Sequence, residues 1–288
     1  MEHNHKPCYL FLNEQQKYKI IDKVQVTPHI KKFDVEAPAI ASRGKPGQFV
    51  ILRIDEESER IPITLGDVDA FSGTIRLYVA EVGATTKELG DLRIGDNILN
   101  VSGPLGNPTE VEKLGQILCV ANRAFIGAHL FLAKALKEAG NKVVSVTCGR
   151  VTDDFYLKQE IRNVCDEAFT VLEDSETQGI SDFLKKLLDE NKFEHVHTIG
   201  SVSMQKQVSQ LTKSHSIKTT ASLFPVMVDG TGMCGACRVT VEGSTRFACI
   251  HGPDFDAHKV DFDELITRMR FYTPHEKIAM VLQDKNVI

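Results

Sequence analysis

Between Lys19 and Ser102, apolar and polar residues alternate in short runs broken by turn residues, the pattern of antiparallel strands. The runs are Lys19 to Val24, His29 to Val35, Gln48 to Ile54, Pro62 to Leu65, Thr74 to Val82 and Asn97 to Ser102, punctuated by Pro46-Gly47, Ser72-Gly73 and Gly95-Asp96. Regular short strands of this kind predict a small antiparallel barrel. After the turn-rich stretch Gly103 to Pro108, read as a hinge, the period changes. Gln116 to Ala121, Val143 to Cys148, Ala168 to Leu172 and His195 to Gly200 read as buried strands, and Ile126 to Ala139, Ser181 to Glu190 and Met204 to Leu211 as helices. Lys134, Lys137, Glu138 and Asn141 fall on the polar face of the first helix, and Gly140 ends it. Strands alternating with helices predict a parallel sheet covered on both faces. The chain closes with a strand pair, Arg238 to Glu242 and Thr245 to Ala248, turned at Gly243-Ser244, and a polar tail anchored by Phe255, Phe262 and Phe271.

The densest chemistry lies just before and within that strand pair. Cys234 and Cys237 are two residues apart on a loop carrying Gly232 and Gly235, and Cys249 follows the strand pair. A tight loop aims two thiolates at one iron with its amides facing the sulfurs, so three thiolates are available where a 2Fe-2S cluster needs four ligands. Asp229 and His251 are the two candidates for the fourth. A structural zinc site of three cysteines and His251 is the main rival. A redox dithiol fits less well, because such motifs open a helix whereas Arg238 to Val241 reads as a strand.

Two upstream spots suit a long phosphorylated ligand. Arg60 and Thr64 put a guanidinium and a hydroxyl at the ends of one short extended segment through Pro62 and Ile63. Gly83-Ala-Thr-Thr86 precedes Lys87-Glu-Leu and reads as a helix N-terminus offering amides to a pyrophosphate. The ordinary alternatives are a surface arginine and a threonine cap. In the parallel sheet the first strand-to-helix turn normally carries glycines so that backbone can approach a dinucleotide. Here it reads Ala121-Asn-Arg-Ala-Phe-Ile-Gly127, with Gly127 the one glycine and Arg123 the one cation. That turn argues against an ordinary NAD site.

The whole chain sets outer bounds. Its 288 residues suffice for two or three domains, and 42% hydrophobic with 25% charged residues is an ordinary globular composition. A net charge of -5 gives no electrostatic case for nucleic acid or an anionic membrane, and no run is long and apolar enough to span a bilayer. Neither a membrane nor a nucleic acid is expected as a partner, and a cytoplasmic location is. Seven cysteines, three of them clustered, fit reduced thiols with a metal site better than a disulfide framework.

The segments Pro46-Gly-Gln-Phe-Val50, Glu59-Arg-Ile-Pro-Ile-Thr64, Gly103-Pro-Leu-Gly106 and Met227-Val-Asp-Gly-Thr-Gly-Met-Cys-Gly-Ala-Cys-Arg-Val239 together resemble a known family. It is the small (alpha) subunit of the electron-bifurcating NADH-dependent reduced ferredoxin:NADP oxidoreductase, a transhydrogenase, with the sulfide dehydrogenase small subunit and, more distantly, the dihydroorotate dehydrogenase electron-transfer subunit. The resemblance implies a multidomain β plus α/β, ferredoxin-reductase-like chain: a loose arm over 1–16, an FAD-binding barrel over 17–108, a Rossmann-like NAD-binding-type domain over 112–222, and a 2Fe-2S module with the tail over 223–288. It implies flavin contacts at Arg60, Pro62, Ile63 and Thr64, pyrophosphate contacts at Gly83, Thr85 and Thr86, and cluster ligation by Asp229, Cys234, Cys237 and Cys249. Pro62 stands where broader flavin-reductase relatives often carry an aromatic residue.

For a nicotinamide, the resemblance points to Arg123, Gly127 and Arg150, yet Ala121 to Ile126 stands where NAD-reducing members have a glycine run, and Gly200-Ser201 where they have Gly-Pro. Asp174-Ser175 partly echoes their acidic loop. The implied function is an oxidoreductase subunit, with FAD and 2Fe-2S relaying electrons between NAD(H) and a larger flavin and 4Fe-4S subunit. The alternative is a non-catalytic electron wire or scaffold that has lost NAD(H) binding.

Overall fold

The computed structural model describes residues 18–149, 155–172, 178–271 and 278. The N-terminal arm, Arg150, Asp174-Ser175 and all but Ile278 of the tail after Phe271 lie outside the described residues.

Seven antiparallel strands make the first sheet: β1 (Tyr18–Thr27), β2 (Ile30–Glu36), β3 (Phe49–Arg53), β4 (Ile61–Asp69), β5 (Thr74–Ala80), β6 (Asn97–Ile98) and β7 (Asn100–Leu105). Two helices, α1 (Pro38–Ala41) and α2 (Ala84–Asp91), interrupt them. The order is β6-β1-β2-β5-β4-β3-β7. β6 and β7 are one extended stretch broken at Leu99, with β6 on β1 and β7 on β3, so the sheet curls nearly shut. Alternation does the sorting. Phe33, Val35, Val50, Leu52, Leu65, Ile75 and Leu77 point inward and are buried, each such side chain stabilising the fold by roughly 1.5–3 kcal/mol. Strand β4 runs well past the predicted Pro62 to Leu65.

The second sheet is parallel over five strands: β8 (Gln116–Asn122), β9 (Lys142–Gly149), β10 (Glu167–Leu172), β11 (His195–Ile199) and β12 (Lys218–Ser222). Its order, β10-β9-β8-β11-β12, reverses direction between β8 and β11. The helices are α3 (Ile126–Glu138), α4 (Lys158–Val164), α5 (Gln178–Glu190) and α6 (Val202–Ser214). Lys134 on α3 pairs with Asp67 on β4 at 2.6 Å, and Gly127 is buried against the barrel. A Cβ on Gly127 would stand 2.0 Å from the Tyr78 ring, so this glycine allows α3 to lie on β5. Asn141 is not on a solvated face. It is buried, accepting from the amides of Leu114 and Gly115 and donating to the carbonyls of Glu112 and Leu136, which fastens the end of α3 to the segment before β8.

The chain ends in a hairpin, β13 (Arg238–Val241) with β14 (Ser244–Phe247), then α7 (Ala248–His251), β15 (Asp254–Asp256) and α8 (Phe262–Arg270). The hairpin turns at Glu242 and Gly243, both at positive φ (52° and 72°), one residue earlier than predicted. Strand β15 adds antiparallel to β12 and extends the second sheet. Phe255 and Phe262 are buried as expected, whereas Phe271, just past α8, is exposed. The predicted hinge is tied down as well. Asn107 donates from its backbone to the Gly252 carbonyl (2.7 Å) and from its side chain to the Ile250 carbonyl (3.2 Å).

Candidate functional site

One apolar cluster joins all three parts of the molecule. Phe49 and Ile51 from β3, Leu223 after β12, and Met227, Cys237, Val239, Ala248 and Cys249 pack together. The cysteine loop is therefore seated on the outer face of the barrel. A Cβ on Gly230 would meet Leu105 and Ile51 side chains at 2.6 and 3.0 Å, and Gly230, Gly232 and Gly235 all take positive φ. Only glycine adopts that backbone readily, and only glycine fits that approach.

Within the loop, Cys237 and Cys249 are buried with their sulfurs 3.2 Å apart, while Cys234 is exposed. Burial, with the neighbouring Cys237 thiol, pushes Cys249 up to about 12, even though the Gly232 amide donates to its sulfur. Two sulfurs this close cannot both ionise without added positive charge, which iron supplies. Asp229 accepts from the Thr231 and Cys234 amides, each at 2.9 Å, and the Thr231 amide leads in holding its carboxyl below the ordinary aspartate value. It is thus already ionised and fixed to the same loop as the thiols. His251 is engaged within its own turn: its Nδ1 accepts from the Phe247 amide at 3.0 Å. Among the described residues no three His, Cys, Asp or Glu side chains converge on one metal ion. A two-iron cluster spreads four ligands over two metals. The donor set fits the cluster.

Beside the loop lies the predicted ligand segment. Parity on β4 separates its side chains. Ile61, Ile63 and Leu65 pack on the barrel core, so Ile63 offers only its backbone outward. Pro62 and Thr64 are half-buried on the opposite face, with exposed Arg60 just before them. Pro62 is paired with Ile51 and Thr64 with Phe49, the two β3 residues under the cysteine loop. The second spot is joined to this edge through Ser58, whose hydroxyl donates to Glu88 of α2 at 2.9 Å. At the head of α2 the Thr86 hydroxyl accepts from the Val82 and Gly83 amides, so it does act as a cap. Thr85 is buried. Space in front of Gly83 is open: a Cβ there would meet only the Thr86 oxygen, at 4.0 Å. Arg60, Pro62 and Thr64 thus follow one outward parity along β4, the head of α2 at Gly83 is open, and these residue types suit an extended ligand bearing phosphates.

The turn after β8 is built in the opposite way. Arg123 is exposed and left-handed (φ 55°), and Tyr156 donates to the carbonyls of Arg123 (3.2 Å) and Ala124 (3.0 Å). Phe125 stacks on Phe224 with ring centres 5.6 Å apart, and Phe224 meets Phe49 edge-on at 5.9 Å. Asn122 is wholly buried.

Sequence reading missed a residue that ties the C-terminal segment to the parallel sheet and to the link before it. Half-buried Asp254 accepts from Thr109 at 2.6 Å and from Ser222, with His197 at 3.5 Å. Burial works to raise its carboxyl, but His197, Ser222 and Thr109 hold it below the ordinary value. Nothing in the local pattern marks it, because its partners come from three distant segments. Phe224 was missed for the same reason.

The iron–sulfur cluster binding domain of dihydroorotate dehydrogenase B, as a sequence family, matches residues 225–261. The dihydroorotate dehydrogenase B (NAD(+)) electron transfer subunit homologue of Thermotoga maritima is 39% identical, over 91% of this chain and 93% of its own length. The corresponding electron transfer subunit of Streptococcus pneumoniae strain R6 is 28% identical over 82% of this chain and 94% of its own. A chain in the solved structure of an NADH-dependent reduced ferredoxin-NADP oxidoreductase, studied for flavin-based electron bifurcation, superposes with a TM-score of 0.86 at 38% identity, covering 93% of this chain and 98% of that one. Ferredoxin-NADP+ reductase of Plasmodium falciparum shares the fold at 15% identity, with a TM-score of 0.56 over 69% of this chain and 89% of that one. With the barrel, the switched parallel sheet and the cysteine loop all in place, the chain belongs to the family of dihydroorotate dehydrogenase B-type electron-transfer subunits, oxidoreductase components of ferredoxin-reductase fold that carry an iron–sulfur binding domain.

Proposed function

We propose that this chain is the FAD and 2Fe-2S electron-transfer subunit of a larger ferredoxin- or NAD(P)-linked oxidoreductase complex, carrying electrons to and from a bigger flavin and iron–sulfur subunit. The observation that carries this reading is the pairing of β4 with β3. Pro62 and Thr64 on the ligand face are cross-strand neighbours of Ile51 and Phe49, and the cysteine loop sits on Ile51 and Phe49. A flavin held along Arg60, Pro62 and Thr64 and a cluster held by Asp229, Cys234, Cys237 and Cys249 would therefore lie side by side on one barrel face. Bound there, the two groups supply a junction between two-electron and one-electron transfer.

The chain's own groups supply position and charge. The Arg60 guanidinium and the head of α2 beside Gly83 provide positive potential for phosphate oxygens. Asp229, fixed by two amides, enters the ligand set ionised, so its binding releases no proton at neutral pH. Around the cysteine loop Val228, Met233 and Ile250 are exposed, Met233 by 88%. An apolar rim at the point where electrons leave is what a partner subunit would cover.

Anaerobic purification tests the reading. Protein carrying flavin, iron and acid-labile sulfide, whose flavin and cluster absorbance both bleach when an artificial one-electron donor is added, supports it. Colourless protein containing zinc would refute it. No helix among the described residues is long and apolar enough to cross a membrane.

A further inference from the structure

In a doubly wound sheet, a nucleotide lies at the carboxyl ends of the strands where the order reverses, its pyrophosphate on glycine backbone and on the amides that open the first helix. Here the reversal falls between β8 and β11, and the crevice is bounded by Asn122 at the end of β8 and Gly200-Ser201 at the end of β11. Asn122 bridges it. Its Oδ1 accepts from the Ser201 amide at 2.9 Å, and its Nδ2 donates to the Ser201 hydroxyl at 3.1 Å. Gly200, at φ 151°, belongs to the same device, since a Cβ there would stand 2.2 Å from that Oδ1. The amide entering α6, the second helix that opens at this crevice, is therefore already committed to a side chain.

The opening of α3 gives no better platform. Ile126 and Ala128 are 0% and 5% exposed, and Gly127 is pressed on Tyr78. Turn carbonyls of Arg123 and Ala124 are pinned by Tyr156, and Phe125 fills the space toward the barrel by stacking on Phe224. Close approach of a pyrophosphate needs bare backbone, and each position where backbone could be bare carries a side chain or a contact.

We infer that Asn122 and Ser201 form a latch that closes the dinucleotide crevice, making them the specificity-determining residues through which this subunit excludes NAD(H) and NADP(H). The closure stands on the fold. Its consequence rests on the function proposed above: with the crevice closed, electrons enter and leave this chain through protein partners rather than by hydride transfer from a nicotinamide.

The test is direct binding of NADH and NADPH to the full-length, cofactor-loaded protein, by calorimetry and by nucleotide fluorescence, with flavin, iron and sulfide assayed on the same sample. Missing flavin or cluster would count against the proposed function. Nucleotide binding is a separate readout that bears on the latch. The latch predicts no saturable binding to the wild type at millimolar nucleotide, and a gain of about tenfold or more in affinity for Asn122→Gly, as follows from freeing backbone for pyrophosphate. Asn122→Ala serves if the glycine variant loses its melting transition. Saturable micromolar binding to the wild type would overturn the inference, and so would folded Asn122 variants that bind no better than the wild type.

Discussion

The cysteine loop and the turn after β8 both follow strands and both face the barrel, but they differ in what fills them. In the loop, Gly230 and Gly232, both at positive φ, allow close approach to Leu105, Ile51 and Ile250, while the Cys234 amide donates to Asp229 and the Cys237 and Cys249 sulfurs stand 3.2 Å apart. In the turn, Asn122, Ala124 and Phe125 occupy the corresponding space, and the glycine that remains is committed to Tyr78. The contrast teaches that a loop's chemistry is set by which side chains its close packing brings alongside. Gly127 and Gly230 both allow close packing on the barrel, through α3 and through the cysteine loop respectively, and only the second has thiol and carboxylate side chains beside it.

The sharpest way to break this comparison is to empty the loop of a ligand. Cys249→Ala should abolish bound iron and sulfide and the visible cluster absorbance while the barrel still takes up flavin. A protein that kept its full iron content would remove Cys249 from the ligand set.

A second test separates the two halves by acid. His195 on β11 and His129 on α3 are held neutral, burial being the first cause, with folded-state values of about 4 and about 3 against 6.5 ordinarily. Because those values lie below the unfolded ones, the folded protein binds fewer protons from pH 6.5 downward and loses stability as pH falls toward 4. Each histidine contributes up to about 3 kcal/mol, fully present above pH 6.5. Melting temperature measured against pH should fall steeply over that window, and His129→Gln should flatten the fall. A flat profile for the wild type would show that the histidines do not govern it.

Smaller in effect, Gly127→Ala forces a methyl into the Tyr78 ring and should lower stability by about 1–3 kcal/mol. Unchanged urea unfolding would mean that α3 shifts off the barrel freely. The mildest change is Asp229→Cys, which should keep a cluster but move its reduction potential, since ligand type tunes it. A redox titration superimposable on the wild type's would take Asp229 out of the ligand set.

Much of the architecture was legible in local pattern. Short alternating runs announced the barrel, the change of period after Pro108 announced the parallel sheet, and the spacing of Cys234 and Cys237 announced the metal loop. Misreadings fell where partners are distant. Asn141 looked like a solvated helix residue because its acceptors at Glu112 and donors at Leu114 and Gly115 come from before β8. The packing of Gly127 on Tyr78 was equally hidden, because Tyr78 lies on another sheet.

By itself the sequence determined which residues are chemically equipped: three cysteines and an aspartate close to one glycine loop, an arginine and a threonine on one short segment, and a first turn short of glycines. Those follow from periodicity and from residue type, which are local. Only the tertiary structure decided that Phe49 and Ile51 bring the cysteine loop beside Thr64 and Pro62, and that Asn122 reaches across to Ser201. Both are contacts between segments far apart in the chain. Their existence depends on how the strands are ordered in the sheets, and that order is fixed by packing rather than by any short stretch of residues.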